Sequence, residues 1–509
     1  MLSIRGLTSG VLLGWASTFL SIAVGLFMSP FLIHHLGEAG YGVWVLVQST
    51  VSYMYFMDLG LRTTVVRFSA QAQARGDHQG VSNVVSAALW IRLWTAAGIM
   101  TIGCAVAAVL PHLFRVPLEY QFIARVTLIL AATTLSSTLV FTVFTAVLAG
   151  LGRFDLLGVL DLAQVALTAF GLVPIVNRGH GLIAMASWQL FVVLGVNLLT
   201  MWVCFRTYPN LRCHFGKPEK VLLRSMWNLG FYVLISNGAG QLILYTDNVV
   251  VGAFVAAAAV SYYAIAGKMV EYVRYIAISL LRYIMPLASS FGARNQYDRL
   301  RQLHLHGTQI VLLTTYPVVI TLFVRGNTLL TLWIGARFSA EAAQILQILS
   351  VGVAVMLTSS SVNGVALALD RQRTFALATL AEGVANLALS IILVKRMGVL
   401  GVAWGTLIPT LCSNLFFWPR FVCKLLDMST ITYMREGWLK PIAAMVPFTL
   451  VSYWVGWHWV PTKLVWFVLQ TAALLPVVAL GILLVFWKDV PVAWHFLMKR
   501  RRTALAEAA

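Results

Sequence analysis

Charge is scarce in this chain. Only 10% of its 509 residues are Asp, Glu, Lys or Arg, against about 25% in a typical soluble protein. Acids are the rarer sign, with 17 Asp and Glu facing 36 Lys and Arg. A chain that is also 60% hydrophobic lacks the polar surface of a soluble domain. Its apolar runs are long and do not alternate, which excludes a membrane barrel and leaves helices as the spanning element. Cysteine is scarce as well: Cys104, Cys204, Cys213, Cys412 and Cys423 form no C-x-x-C pair and mostly lie in or beside apolar runs. They read as small hydrophobes, with neither a disulfide framework nor a metal site implied. There is no HExxH, no Walker motif and no long soluble segment, so ATP hydrolysis by this chain is not expected. No nucleic-acid-binding motif occurs, no cofactor is called for, and the expected class is not an enzyme. The first apolar run, Val11 to Ile33, is too long for a signal peptide and has no clear small-residue cleavage site, so it reads as a retained span.

What remains is apolar length. At about 20 residues per crossing, fourteen spans are expected: 10–33, 41–61, 84–111, 122–149, 156–177, 181–205, 229–252, 258–285, 303–325, 341–369, 373–394, 399–422, 438–457 and 464–487. With the N-terminus inside, roughly 25 of the 36 Lys and Arg fall in cytoplasmic segments. Both termini are therefore expected in the cytoplasm. Most of the net charge of +19 is then topological and faces anionic lipid. A weak duplication adds a second layer. Residues 149–186 align with 367–404 at a shift of 218, matching Arg153 with Arg371, Leu162-Ala163 with Leu380-Ala381 and Arg178 with Arg396. The reading is an all-α polytopic membrane protein of about fourteen transmembrane helices: two pseudo-symmetric six-helix bundles, 1–225 and 226–424, followed by an extra helix pair and a basic cytoplasmic tail in 425–509. Duplicated halves with a site between them are a transporter design.

Several polar residues sit inside the expected spans. The stretch MDLGLRTTVVRF (57–68) ends an apolar run in an aspartate, with arginines four and nine places on. Asp58 and Arg62 at i,i+4 are expected to pair as a structural hinge. Arg67 lies on the opposite side of the helix, free to meet anionic headgroups or cargo. The seventh span carries Asn237, Gln241, Tyr245 and Asn248 on one face, with Asp247 beside them. The fifth carries Asp161, Gln164 and Thr168, and the eleventh Glu382, Asn386 and Ser390. Amide and hydroxyl stripes alone suit interhelical hydrogen bonding; the acids on them tip the reading toward a wet cavity, and Asp161, Asp247 and Glu382 become candidates for ion coupling. The eighth span has Lys268, Glu271 and Arg274 three apart, with Tyr272 and Tyr275 alongside. These charges read either as an ion-pair ladder or, with Arg92 of the third span, as cations that receive a phosphate. Moving a negative headgroup outward is favoured by about 2.3 kcal/mol per charge per 100 mV, so the barrier is desolvation, which a cationic cavity lowers.

LGEAGYGVWVLVQSTVSYMYFMDLGLRTTVVRF (36–68) resembles the polysaccharide transporter (Wzx-type) family of oligosaccharide flippases through its LG-x₃-YG-x-W, its Tyr-containing span and its DLGL with a basic helix. YTDNVVVGAFVAAAAVSYYAIAGKM (245–269) is similar to the D-x-V-x-x-G…Y-x-A element of the wider group that holds MATE exporters and lipid II flippases. The resemblance implies alternating access between two bundles in a bacterial inner membrane. It implies as cargo an undecaprenyl-diphosphate-linked oligosaccharide, moved from the cytoplasmic to the periplasmic leaflet. It also implies membrane lipids as partners, polysaccharide polymerase and export machinery as further ones, and a monomer. Proton coupling, sodium coupling and no coupling stay open. The alternatives are a MATE-like cation-coupled drug exporter, for which an acid-rich cavity is expected, and a membrane glycan polymerase or ligase, for which acids or bases in loops are expected.

Overall fold

The computed structural model describes residues 4–58, 60–214 and 220–487; the basic tail beyond 487 lies outside the described residues. A backbone in hydrocarbon must satisfy its polar groups locally, and the long elements are all helices. They fall into two compact units. The first comprises the chain up to Ile265 together with Arg373–Thr406. It holds α1 (Ile4–Tyr53), α2 (Leu61–Ala74), α3 (His78–Leu113), α4 (Leu118–Gly150), α5 (Phe154–Asn177), α6 (Gly181–Thr207) and α7 (Lys220–Phe254). It also holds the start of α8 (Ala257–Ala293), α12 (Gln372–Met397) from Arg373 on, and α13 (Val399–Cys412) to Thr406. The second comprises Ala266–Gln372 and the chain from Leu407. It contains the rest of α8, then α9 (Tyr297–Trp333), α10 (Ala336–Thr358) and α11 (Val362–Ala368). After α13 come α14 (Trp418–Leu425), α15 (Thr430–Tyr433), α16 (Lys440–His458), α17 (Leu464–Ala473) and α18 (Leu475–Phe486).

In the first unit Val85 and Ala88 of α3, Val147 of α4, Cys204 of α6 and Met226 of α7 share one buried cluster. Small side chains at such contacts let helix backbones approach, which is how helices gain packing energy where lipid competes for apolar surface. All five cysteines are free; Cys204 and Cys423 are buried, and Cys104 and Cys412 are exposed.

Eleven helical stretches among the described residues are long and apolar enough to cross a membrane, against fourteen expected. The difference falls in two places. The first two expected spans run together through α1, whose 50 residues would extend about 75 Å as one rod. Gly37, at φ 70° and ψ 175°, breaks that rod with a backbone conformation open mainly to glycine. The other two missing spans are α7 and α8, 35 and 37 residues long. Both exceed a bilayer core of about 30 Å, but their charged and amide residues dilute the apolar signal. These diluted helices carry most of the candidate site.

Candidate functional site

Asp58 has a different partner from the one expected. It ends a 3₁₀ turn, Met54–Asp58, and Gly60, at φ 63°, stands in the left-handed region before α2 begins at Leu61. The i,i+4 spacing brings Asp58 and Arg62 together only along one continuous helix, and this break removes it. The Asp58 carboxylate instead accepts from Arg92 Nη2 of α3 at 2.5 Å, and its backbone carbonyl accepts from Arg92 Nη1 at 3.0 Å. Arg92 is 1% exposed. This corrects two expectations. Asp58 is tied to Arg92, 34 residues away, in place of Arg62, and Arg92 serves this buried pair in place of presenting its charge to cargo. Arg62 and Arg67 are both exposed on α2.

On α8 the charge ladder forms. Lys268 Nζ donates to Glu271 Oε2 at 2.8 Å and Tyr275 Oη to Glu271 Oε1 at 2.5 Å. The Lys268 ammonium lies 5.8 Å from the Tyr272 ring centroid. Lys268, Glu271, Arg274 and Tyr275 are all partly exposed, whereas Tyr272 is buried, so its ring is no open stacking platform. The group stays reachable while its charges are held in place, and it includes two cations against one acid.

The α7 stripe divides. The Asn237 side chain lies outside the described residues. Asn248 Nδ2 donates to Ser49 Oγ of α1 at 3.0 Å, and Tyr53 Oη donates to Thr246 Oγ1 at 2.7 Å; these are interhelical hydrogen bonds of the ordinary kind. Tyr245 is half-buried, and Gln241 keeps a buried Oε1 with no partner among the described residues.

Asp247 is the acid that the fold treats most unusually. It is 4% exposed, and its Oδ2 accepts from Tyr263 Oη of α8 at 2.5 Å and from Thr406 Oγ1 of α13 at 2.7 Å. Asn386 of α12 donates to Thr406 Oγ1 at 2.9 Å. Oδ1 is buried without a hydrogen-bond partner among the described residues, as is Asn386 Oδ1. No Lys, Arg or His forms an ion pair with Asp247 among the described residues. A carboxylate held by neutral donors, with acceptor oxygens left over, has an unmet demand for a proton or a small cation. The other two acids stand differently: Asp161 is exposed on α5 and Glu382 half-buried on α12. Tyr263 and Thr406 were not singled out from the sequence. The Y-x-A element containing Tyr263 offered a signal; Thr406, in an apolar helix with no pattern around it, offered none.

Comparison with known proteins adds four findings. A family model described as polysaccharide biosynthesis protein matches residues 35–340. A Shigella flexneri protein assigned to O-antigen transport is 21% identical, covering 73% of this chain and 87% of its own. Among solved structures, the lipid II flippase MurJ in an inward closed conformation aligns with a TM-score of 0.73 at 13% identity, over 94% of this chain and 100% of its own. A multidrug resistance MATE family transporter of the MOP superfamily aligns at 0.69 with 16% identity, over 81% and 95%. The two structures share the fold, and the family model spans more than half of the sequence: the chain belongs to the polysaccharide biosynthesis protein family.

Proposed function

We propose that the chain is a flippase for a polyprenyl-diphosphate-linked oligosaccharide, carrying it from the cytoplasmic to the periplasmic leaflet of a bacterial inner membrane by alternating access of two six-helix halves, 1–225 and 226–424. The observation that carries this reading is the reachable cation-rich group of α8. Lys268 and Arg274 flank a single acid, Glu271, on a helix otherwise suited to a membrane. Charged groups inside a membrane protein mark cargo or ion paths, and a phosphate is the anion that guanidinium and ammonium groups bind best. Exposed Arg67 on α2 receives the headgroup at the cytoplasmic mouth, and Gln241, Tyr245 and Tyr275 supply hydrogen bonds to sugar hydroxyls. The S. flexneri protein's assignment to O-antigen transport and MurJ's to lipid II support the same cargo chemistry. Asp247 is the coupling acid of this scheme, binding a proton or sodium ion.

Deleting the gene is expected to stop surface polysaccharide and leave lipid-linked oligosaccharide on the cytoplasmic leaflet. Complementation with Arg274→Ala is expected to fail at normal protein abundance, and Arg67→Ala to restore export only partly. Normal surface glycan in the deletion strain, with new sensitivity to cationic dyes, would replace this reading with a drug exporter. Arg274→Ala working at wild-type rate would remove the α8 group from the mechanism. Topology is tested separately, in a background lacking the exposed Cys104 and Cys412. A membrane-impermeant thiol reagent applied to intact cells is expected to label Ala340→Cys and not Asp427→Cys. The reverse pattern would invert the orientation.

A further inference from the structure

Arg325, near the Trp333 end of α9, is a buried cation without a counter-ion among the described residues. It is 2% exposed. Its Nη2 donates to Gln470 Oε1 of α17 at 2.6 Å, and its guanidinium carbon lies 4.7 Å from the Phe467 ring centroid. Gly456 of α16 packs against its stem. Nε and Nη1 are buried with no hydrogen-bond partner among the described residues, and no Asp or Glu pairs with it there. A guanidinium taken out of water without an anion is costly. Here a neutral amide oxygen stands where an anionic one would be favoured.

The surroundings indicate which anion. Trp454, Trp457, Trp459 and Trp466 are all exposed, and Gln470 Nε2 donates to the Trp459 carbonyl at 3.2 Å. Exposed tryptophans gathered at one helix end mark the level of lipid headgroups, so Arg325 sits at phosphate depth. Lys463, exposed just before α17, is four and seven residues before Phe467 and Gln470. Phe467 and Gln470, three apart on α17, share the helix face that meets Arg325, and Lys463, in an extended conformation, is the residue from which that helix starts. We propose that Arg325 and Lys463 form a binding site for a lipid-borne phosphate between α9, α16 and α17, entered when the Gln470 side chain swings aside and surrenders Nη2. The site is distinct from the α8 group and does not depend on the chain being a flippase.

Native mass spectrometry of the detergent-purified full chain tests it, with phosphatidylglycerol, phosphatidylcholine and a polyprenyl diphosphate as probes. The wild type is expected to retain an anionic lipid over phosphatidylcholine by about tenfold, the scale of one charge-assisted hydrogen bond. Arg325→Gln and Lys463→Gln are each expected to cut that preference severalfold, and Arg325→Lys to keep part of it. Lys463 is exposed, so its substitution leaves folding intact. Preferential retention of phosphatidylglycerol assigns the site to bulk lipid; preferential retention of polyprenyl diphosphate assigns it to the anchor of the cargo. Equal retention of anionic and zwitterionic lipid by the wild type, or an unchanged preference in both Gln variants, overturns the site.

Discussion

Asp58→Ala should leave little folded protein in the membrane. The substitution strands the Arg92 guanidinium, 1% exposed, with only a backbone carbonyl for company. Removing one partner of a buried pair costs about 3–5 kcal/mol, a large share of the roughly 5–15 kcal/mol that holds a typical domain together. Asp58 itself is 19% exposed, which points to the lower end of that range. Arg62→Ala should leave abundance unchanged, because Asp58 does not depend on it. The double variant Asp58→Leu with Arg92→Met should recover abundance, since it removes both charges and leaves neither unpaired. Fluorescence-detected size exclusion of solubilised membranes measures all three. Loss of abundance in both Arg62→Ala and Asp58→Ala would restore the local hinge, and normal abundance of Asp58→Ala would discard the long-range pair.

Asp247→Asn should abolish the dependence of transport on an ion gradient while the protein accumulates normally. The substitution is nearly isosteric, and the remaining oxygen still accepts from Tyr263 and Thr406, which both address Oδ2 in the native chain. What disappears is the negative charge, and with it the difference in affinity that lets an ion bias a conformational equilibrium. In proteoliposomes with an imposed proton or sodium gradient, the wild type should speed up and the variant should not. Tyr263→Phe should fall between them, losing one donor to Oδ2. Full gradient stimulation of Asp247→Asn would remove Asp247 from coupling and turn attention to Asp161→Asn and Glu382→Gln.

The helical, membrane-spanning character of the chain followed from hydropathy alone, because lipid imposes its rule on every residue of a span. The sequence was least informative where helices were least apolar. α7 and α8 look marginal as spans for the same reason that they matter: Lys268, Glu271, Arg274 and Asp247 interrupt them. Short-range chemistry along one helix was readable, as the Lys268–Glu271 pair at 2.8 Å demonstrates. Chemistry between helices was not. The Asp58–Arg92 pair joins residues 34 apart, and the shell of Asp247 gathers Tyr263 and Thr406, 16 and 159 residues away. The one local rule that misled, i,i+4 pairing at Asp58, failed because it assumed an unbroken helix through a 3₁₀ turn and a left-handed glycine. Arg325 closes the expected span 303–325, and only packing against α16 and α17 reveals that it is enclosed.

The Glu271 carboxylate has a kinetic meaning. In the scheme proposed above it is a resident competitor of a phosphate-bearing cargo: it pairs with the Lys268 ammonium, would hold it until the cargo arrives and would reclaim it as the cargo departs. Arrival then exchanges one anion for another, without creating or abandoning a bare charge, and the net gain in affinity is smaller than the new contact alone would give. Tight binding is a handicap to a carrier, because most differences in affinity reside in the rate of leaving. An acid built beside the base limits residence time from within, so that turnover does not wait on the grip of the site.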